Sequence, residues 1–156
     1  METAPISQIK KELGNLPTEE LGELILRLAK FKKENKELLS YLLFEAYNEQ
    51  EYIRQVKDEI NFEFLSLNRS SYYLAKKTLR KVLKTTNKYI RFSGKKETEI
   101  ELLLHFCKKM KESKLNYKAN RVVFNMYLNQ VKRINKVISQ LHEDLQYDYR
   151  EALESL

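Results

Sequence analysis

Chain breakers are scarce here: three glycines and two prolines in 156 residues. Hairpins, bulges and phosphate-cradling loops need residues that reach positive φ or interrupt a ladder, and this chain holds little material for them. Such a composition favours helix. The apolar residues agree, because they recur at three- and four-residue steps and no alternating strand pattern competes. Hydrophobic residues make up 42% and charged residues 33%, too apolar for disorder and too punctuated by charge for a membrane span. The expectation is an all-α protein forming one domain over residues 1–156, a size at which a core closes without metals or disulfides.

Pro5 suits a first helical turn and Gly14 a C-terminal cap, so a short leading helix is expected at Ala4–Leu13. Thr18 as N-cap, with Glu19 and Glu20 following, opens a second helix reaching Lys33, with Leu21, Leu24, Ile25, Leu28 and Phe31 on one face. Asn35 is expected to cap a third, which ends near Tyr47. Residues 36–67 read two ways. Asn48 with Glu51 three residues on is a capping signal, yet Ile53, Val56, Ile60, Phe64 and Leu67 nearly continue the preceding stripe, as in one long bent helix. Asn68-Arg69-Ser70-Ser71 is a clearer break. A helix then runs to about Arg91, its buried face Tyr72, Ala75, Leu79, Val82, Leu83, Thr86 and Ile90. Ser93-Gly94 ends it, and Lys96–Lys111 follows with Ile100, Leu103, Leu104, Cys107 and Met110 inward. Beyond a polar link at Lys114–Lys118 the remainder reads as one helix to Leu153, with Phe124, Leu128, Val131, Ile134, Ile138, Leu141 and Leu145 as a heptad-like seam. At about 1.5 Å per residue it would be about 50 Å long, either bracing the domain or protruding to self-associate.

Six or seven helices result. Successive antiparallel helices with short links suit a small α-solenoid of the HEAT or armadillo kind, a likeness of architecture without a repeat consensus; an irregular bundle with a long C-terminal helix is the alternative. The segment Glu20–Glu34 faintly echoes Glu99–Ser113, each an amphipathic helix ending in a lysine-rich turn.

Charge is segregated along the chain. Residues 69–136 hold 19 Lys and Arg against four acids, whereas both flanking segments are net acidic, and the whole carries +7. The excess of Lys over Arg, 21 to 8, is also what a compositionally biased genome would produce, a rival explanation for part of the charge. On a wheel of about 100° per residue, Lys77, Arg80, Lys81, Lys84, Lys88 and Arg91 share one arc of roughly 100°, opposite the arc of Leu79 and Val82. Tyr73 lies within this strip, and Lys95 and Lys96 extend it. Like charges at i and i+4 cost an isolated helix a few tenths of a kcal/mol per pair, so an anionic partner or the nearby Asp58, Glu59 and Glu63 should compensate. An acidic protein surface is the expected partner. Nucleic-acid backbone, with Tyr73 stacking on an unpaired base, is the alternative, although no zinc-finger spacing, RNA-binding signature or helix-turn-helix supports sequence-specific reading. A membrane surface is disfavoured, since Ala75 and Thr86 interrupt the apolar side and no Trp anchors it.

Catalytic constellations are thin. His105 and Cys107 point about 200° apart on one helix, which prevents a Cys-His pair and reads as a buried structural cysteine beside a half-exposed histidine. Glu101 and His105 stand four apart, whereas the inward pairs of di-iron bundles need three. His142-Glu143-Asp144 with Asp148 reads as a solvated helix end, and one cysteine with two histidines cannot close a zinc site. No cofactor or metal is expected, and a polar, charged N-terminal segment without a signal-like apolar run is expected of a cytoplasmic protein. The expected function is a non-enzymatic binding or adaptor module.

Overall fold

Among residues 2–156, which the computed structural model describes, every regular element is helical, with eight α-helices in place of the expected six or seven. The chain divides into two compact units, Met1–Phe44 and Glu45–Leu156. No helix among the described residues is long and apolar enough to cross a membrane.

The first unit contains α1 (Ile6–Gly14), α2 (Thr18–Phe31) and α3 (Lys33–Ser40). Pro17, not Thr18, occupies the cap of α2: its φ of −60° is preset for a helix entry, and its carbonyl accepts from the Leu21 amide. Asn35 does not cap α3 either. That helix begins two residues earlier, and the Asn35 side-chain Nδ2 reaches back to donate to the Leu28 carbonyl at 2.8 Å, closing α2 onto α3. The chain then loosens into a π-helical turn, Tyr41–Glu45. α2 and α3 pack together, yet Leu28 and Phe31 on the expected apolar face of α2, and Leu42 and Leu43 in the turn after α3, remain more than half exposed. A groove of about 440 Å³ between the two helices is lined by Ile25, Leu28, Ala29, Leu38, Leu39 and Leu42.

The second unit contains α4 (Glu49–Phe64), α5 (Tyr72–Ser93), α6 (Lys96–Glu112), a 3₁₀ turn at Tyr117–Ala119, α7 (Arg121–Ile138) and α8 (Glu143–Glu154). The ambiguity over residues 36–67 falls to two helices, because the Asn48 side chain accepts from the Glu51 amide and caps α4. The single C-terminal helix expected to reach Leu153 is corrected to two. His142 is extended, with ψ 147°, and its Nδ1 faces the Asp144 amide at 3.5 Å at the entry to α8. Propensity alone hid this break, since neither Gly nor Pro marks it.

α4 and α5 run antiparallel: Glu63 meets Thr85 and Lys81, Glu59 meets Tyr89, and Glu49 meets Ser93. α6 and α7 do the same, with Glu99 on Arg133 and Lys96 on the Gln140 carbonyl. Between the hairpins one separation recurs: Lys57 with Glu101, Asn61 with His105, Arg69 with Ser113, and Tyr72 with Asn116 all stand 44 apart. Bonds that advance one turn along both α4 and α6 mean that these helices are parallel. The main packing pairs of this unit join helices one or two steps apart in the chain.

In the second unit the expected faces of α5 and α6 are buried in the main, with Tyr72 and Leu83 only half-buried, whereas on the expected C-terminal seam Ile134 and Ile138 are buried, Phe124, Leu128, Val131 and Leu141 are half-buried and Leu145 is exposed. Ala75, Leu79, Val82, Thr86 and Ile90 of α5 are buried, and Thr86 satisfies its hydroxyl on the Val82 carbonyl at 2.8 Å. On α6, Leu102 and Phe106 are buried beside Ile100, Leu103 and Cys107, while Leu104 is half-buried. α6 packs against α4, α5, α7 and α8, so apolar residues are needed on more than one side of it.

Candidate functional site

α5 owes its length to both ends. Ser71 accepts from the Leu74 amide at 3.4 Å, and Gly94 stops the helix at φ +66°, where an L side chain would be strained. Between these caps the buried arc fixes the rotation of the helix and turns the cations outward. Lys77, Arg80, Lys81, Lys84, Arg91, Lys95 and Lys96 are exposed, and Tyr73 is 75% exposed. Lys88 is half-buried, its ammonium 4.4 Å from the Tyr89 ring centroid.

The neighbouring acids compensate only part of this strip. Glu63, whose side chain is 10% exposed, pairs with Lys81 at 3.4 Å and accepts from Thr85; its Oε2 is buried without a partner. Glu49 pairs with Lys95 at 2.9 Å while accepting from Ser93 and Thr98. Asp58 turns to Arg54 and Glu59 to the Tyr89 hydroxyl. No acid among the described residues lies within ion-pair range of Lys77, Arg80 or Lys84.

A feature absent from any single-helix reading lies alongside. α7, like α5, contains no acid, so the packing of α5 and α7 creates an acid-free surface, while the acids of the unit's hairpins sit on α4 and α6. Between α5 and α7 runs a groove of about 510 Å³. Its α5 wall is Arg80, Leu83, Lys84 and Asn87. Its α7 wall is Val122, Asn125, Met126 and Asn129. Arg133 holds the two walls in place, donating to Asn87 Oδ1 at 2.5 Å and to Glu99 at 2.6 Å. Four of the groove's eight lining residues are on α7, whose asparagines the charge pattern could not reveal; the signal available was Asn125 and Asn129 one turn apart in an acid-free helix.

His105 and Cys107 diverge as their spacing requires. Cys107 is buried, and burial pushes its thiol up to about 12, so thiolate is scarce near neutral pH. His105 stands 2.8 Å from Asn61 Oδ1; burial first, then Lys57, Lys109 and Lys108, hold its pKa down at about 4. The neutral ring donates from Nε2 to that oxygen, and a concavity of about 460 Å³ beside it is bordered by the Lys57–Glu101 pair at 2.6 Å. His142 and Asp144 serve the entry to α8. No protein-family model, curated protein or solved structure matches this chain.

Proposed function

We propose that this chain is a non-enzymatic helical adaptor that docks an acidic protein partner through the basic face of α5, with Tyr73, Lys77, Arg80, Lys81, Lys84, Lys88, Arg91, Lys95 and Lys96 as its contact residues. The observation that carries the reading is the exposure of Lys77, Arg80 and Lys84 without any acid in reach. Cations held on a rigid, core-anchored face are preorganised for an anionic surface and give up little solvation until it arrives. Two features favour a short α-solenoid of the HEAT or armadillo kind for the second unit: packing confined to near neighbours in the chain, and two hairpins, 49–93 and 96–140, offset by 47 positions. The reading takes the protein as cytoplasmic, in keeping with its single buried, unpaired cysteine.

Nucleic-acid backbone is the second reading, favoured by Tyr73 standing exposed at the head of the strip, where a base could stack. One experiment separates them. Proteins and nucleic acids co-purifying with the native chain are identified, and each is then titrated against wild type and Lys77→Glu/Arg80→Glu/Lys84→Glu. The variant keeps its helicity, because Glu is a good helix former, and its affinity for an acidic protein falls at least roughly tenfold at fixed stoichiometry. A nucleic acid making about six phosphate contacts would instead lose about 10³-fold in affinity between 50 and 200 mM salt. Unchanged binding of every partner by the triple variant refutes both readings.

A further inference from the structure

The groove between α5 and α7 differs from a plain basic patch in having amides, apolar side chains and cations on one side only. Leu83, Val122 and Met126 supply its apolar lining, with Arg80 and Lys84 on the α5 wall and Asn125 and Asn129 opposite. Asparagine is a poor choice for a helix interior unless its carboxamide is used, because it competes for backbone hydrogen bonds. Elsewhere on α7 the polar side chains do bond back: Gln130 to the Met126 carbonyl at 3.2 Å and Asn135 to the Val131 carbonyl at 3.1 Å. Among the described residues Asn125 and Asn129 find no such partner.

Residues four apart on a helix rise about 6 Å, and alternate residues of an extended chain repeat at roughly 6.6 Å. Each carboxamide offers both an acceptor and a donor pair, the complement of a peptide group's N–H and C=O. We propose that this groove seats an extended acidic segment of a partner protein, its backbone held by Asn125 and Asn129, one apolar side chain against Leu83 and Met126, and flanking carboxylates on Arg80 and Lys84. The proposal rests on the docking reading above and adds the conformation and composition of what is docked. The seven residue steps from Arg80 to Asn87 span about 10 Å, enough for three or four extended residues. Nucleic acid suits this groove less well: one wall offers amides in place of cations, and no aromatic ring lines it for a base to stack on.

The probe is a synthetic peptide alternating Glu with Leu, compared with the same peptide carrying Gln for Glu and with a single-stranded oligonucleotide of equal charge. Binding is read from the side-chain amide signals of Asn87, Asn125 and Asn129 in ¹⁵N-labelled full-length protein. The acidic peptide is expected to shift all three, the Gln peptide to shift them far less, and Asn125→Ala/Asn129→Ala to weaken the acidic peptide roughly tenfold or more with unchanged helicity. If the peptide binds and responds to Arg80→Glu/Lys84→Glu but not to the asparagine pair, the seating proposal fails and the docking reading stands. Shifts caused only by the oligonucleotide, or no shift with millimolar peptide, overturn the seating proposal. Peptide binding indifferent to both double variants overturns it together with a role for Arg80 and Lys84.

Discussion

At Leu79, sequence and structure meet most directly, because the wheel that turns Lys77 and Arg80 outward turns Leu79 fully inward. Leu79→Asp buries an unpaired carboxylate and should destabilise by roughly 3 kcal/mol or more, checked by urea denaturation; wild-type stability would refute the orientation of α5. His105 offers a test with pH as its variable. Its folded pKa of about 4 lies below the ordinary imidazole value of 6.5, so the unfolded chain takes up the proton first as pH falls. Its stabilisation is therefore complete above pH 6.5 and is lost progressively toward pH 4. His105→Gln should flatten the decline in melting temperature over this window without affecting partner binding. A slope equal to wild type would mean that the imidazole is solvated. Tyrosine placement is less legible from sequence: Tyr47 is 85% exposed, while Tyr117 packs its ring 5.1 Å from that of Tyr127.

Helix boundaries depend on single polar side chains at the level of the element, and those signals carried unequal information. Asn48 with Glu51 and Ser93-Gly94 followed known capping rules and could be read in advance. His142 could not, because a histidine cap has no distinctive sequence pattern and the seam of Ile134, Ile138, Leu141 and Leu145 runs straight through it. Asn48→Ala should cost about 1 kcal/mol, seen as a lower midpoint with an unchanged denaturant slope. No change would favour a continuous helix through residues 36–67. The basic strip of α5 was legible because helical geometry dictates it from one segment. The groove was not, since α7 is placed beside α5 only by the Asn87, Glu99 and Arg133 bonds and the packing of distant apolar residues.

Over the whole molecule, a fainter periodicity was available. Ile53, Val56 and Ile60 recur 47 positions later as Ile100, Leu103 and Cys107, all buried, whereas the echo between Glu20–Glu34 and Glu99–Ser113 joins segments of different units. The repeat was hard to see because few other positions match and the link before α7 is longer than the link before α5. Packing between near neighbours makes opening a graded process. α8 has no fully buried residue and packs only on α7 and α6 in its main contacts, whereas α6 is packed by four helices. Native-state hydrogen exchange should therefore release the α8 amides first and those around Leu103 and Phe106 last, and equal protection in both helices would contradict the packing hierarchy. Because no side chain of the α5–α7 groove comes from α8, fraying at this end would leave the groove standing: the molecule can yield locally at one edge while keeping its proposed contact surface intact.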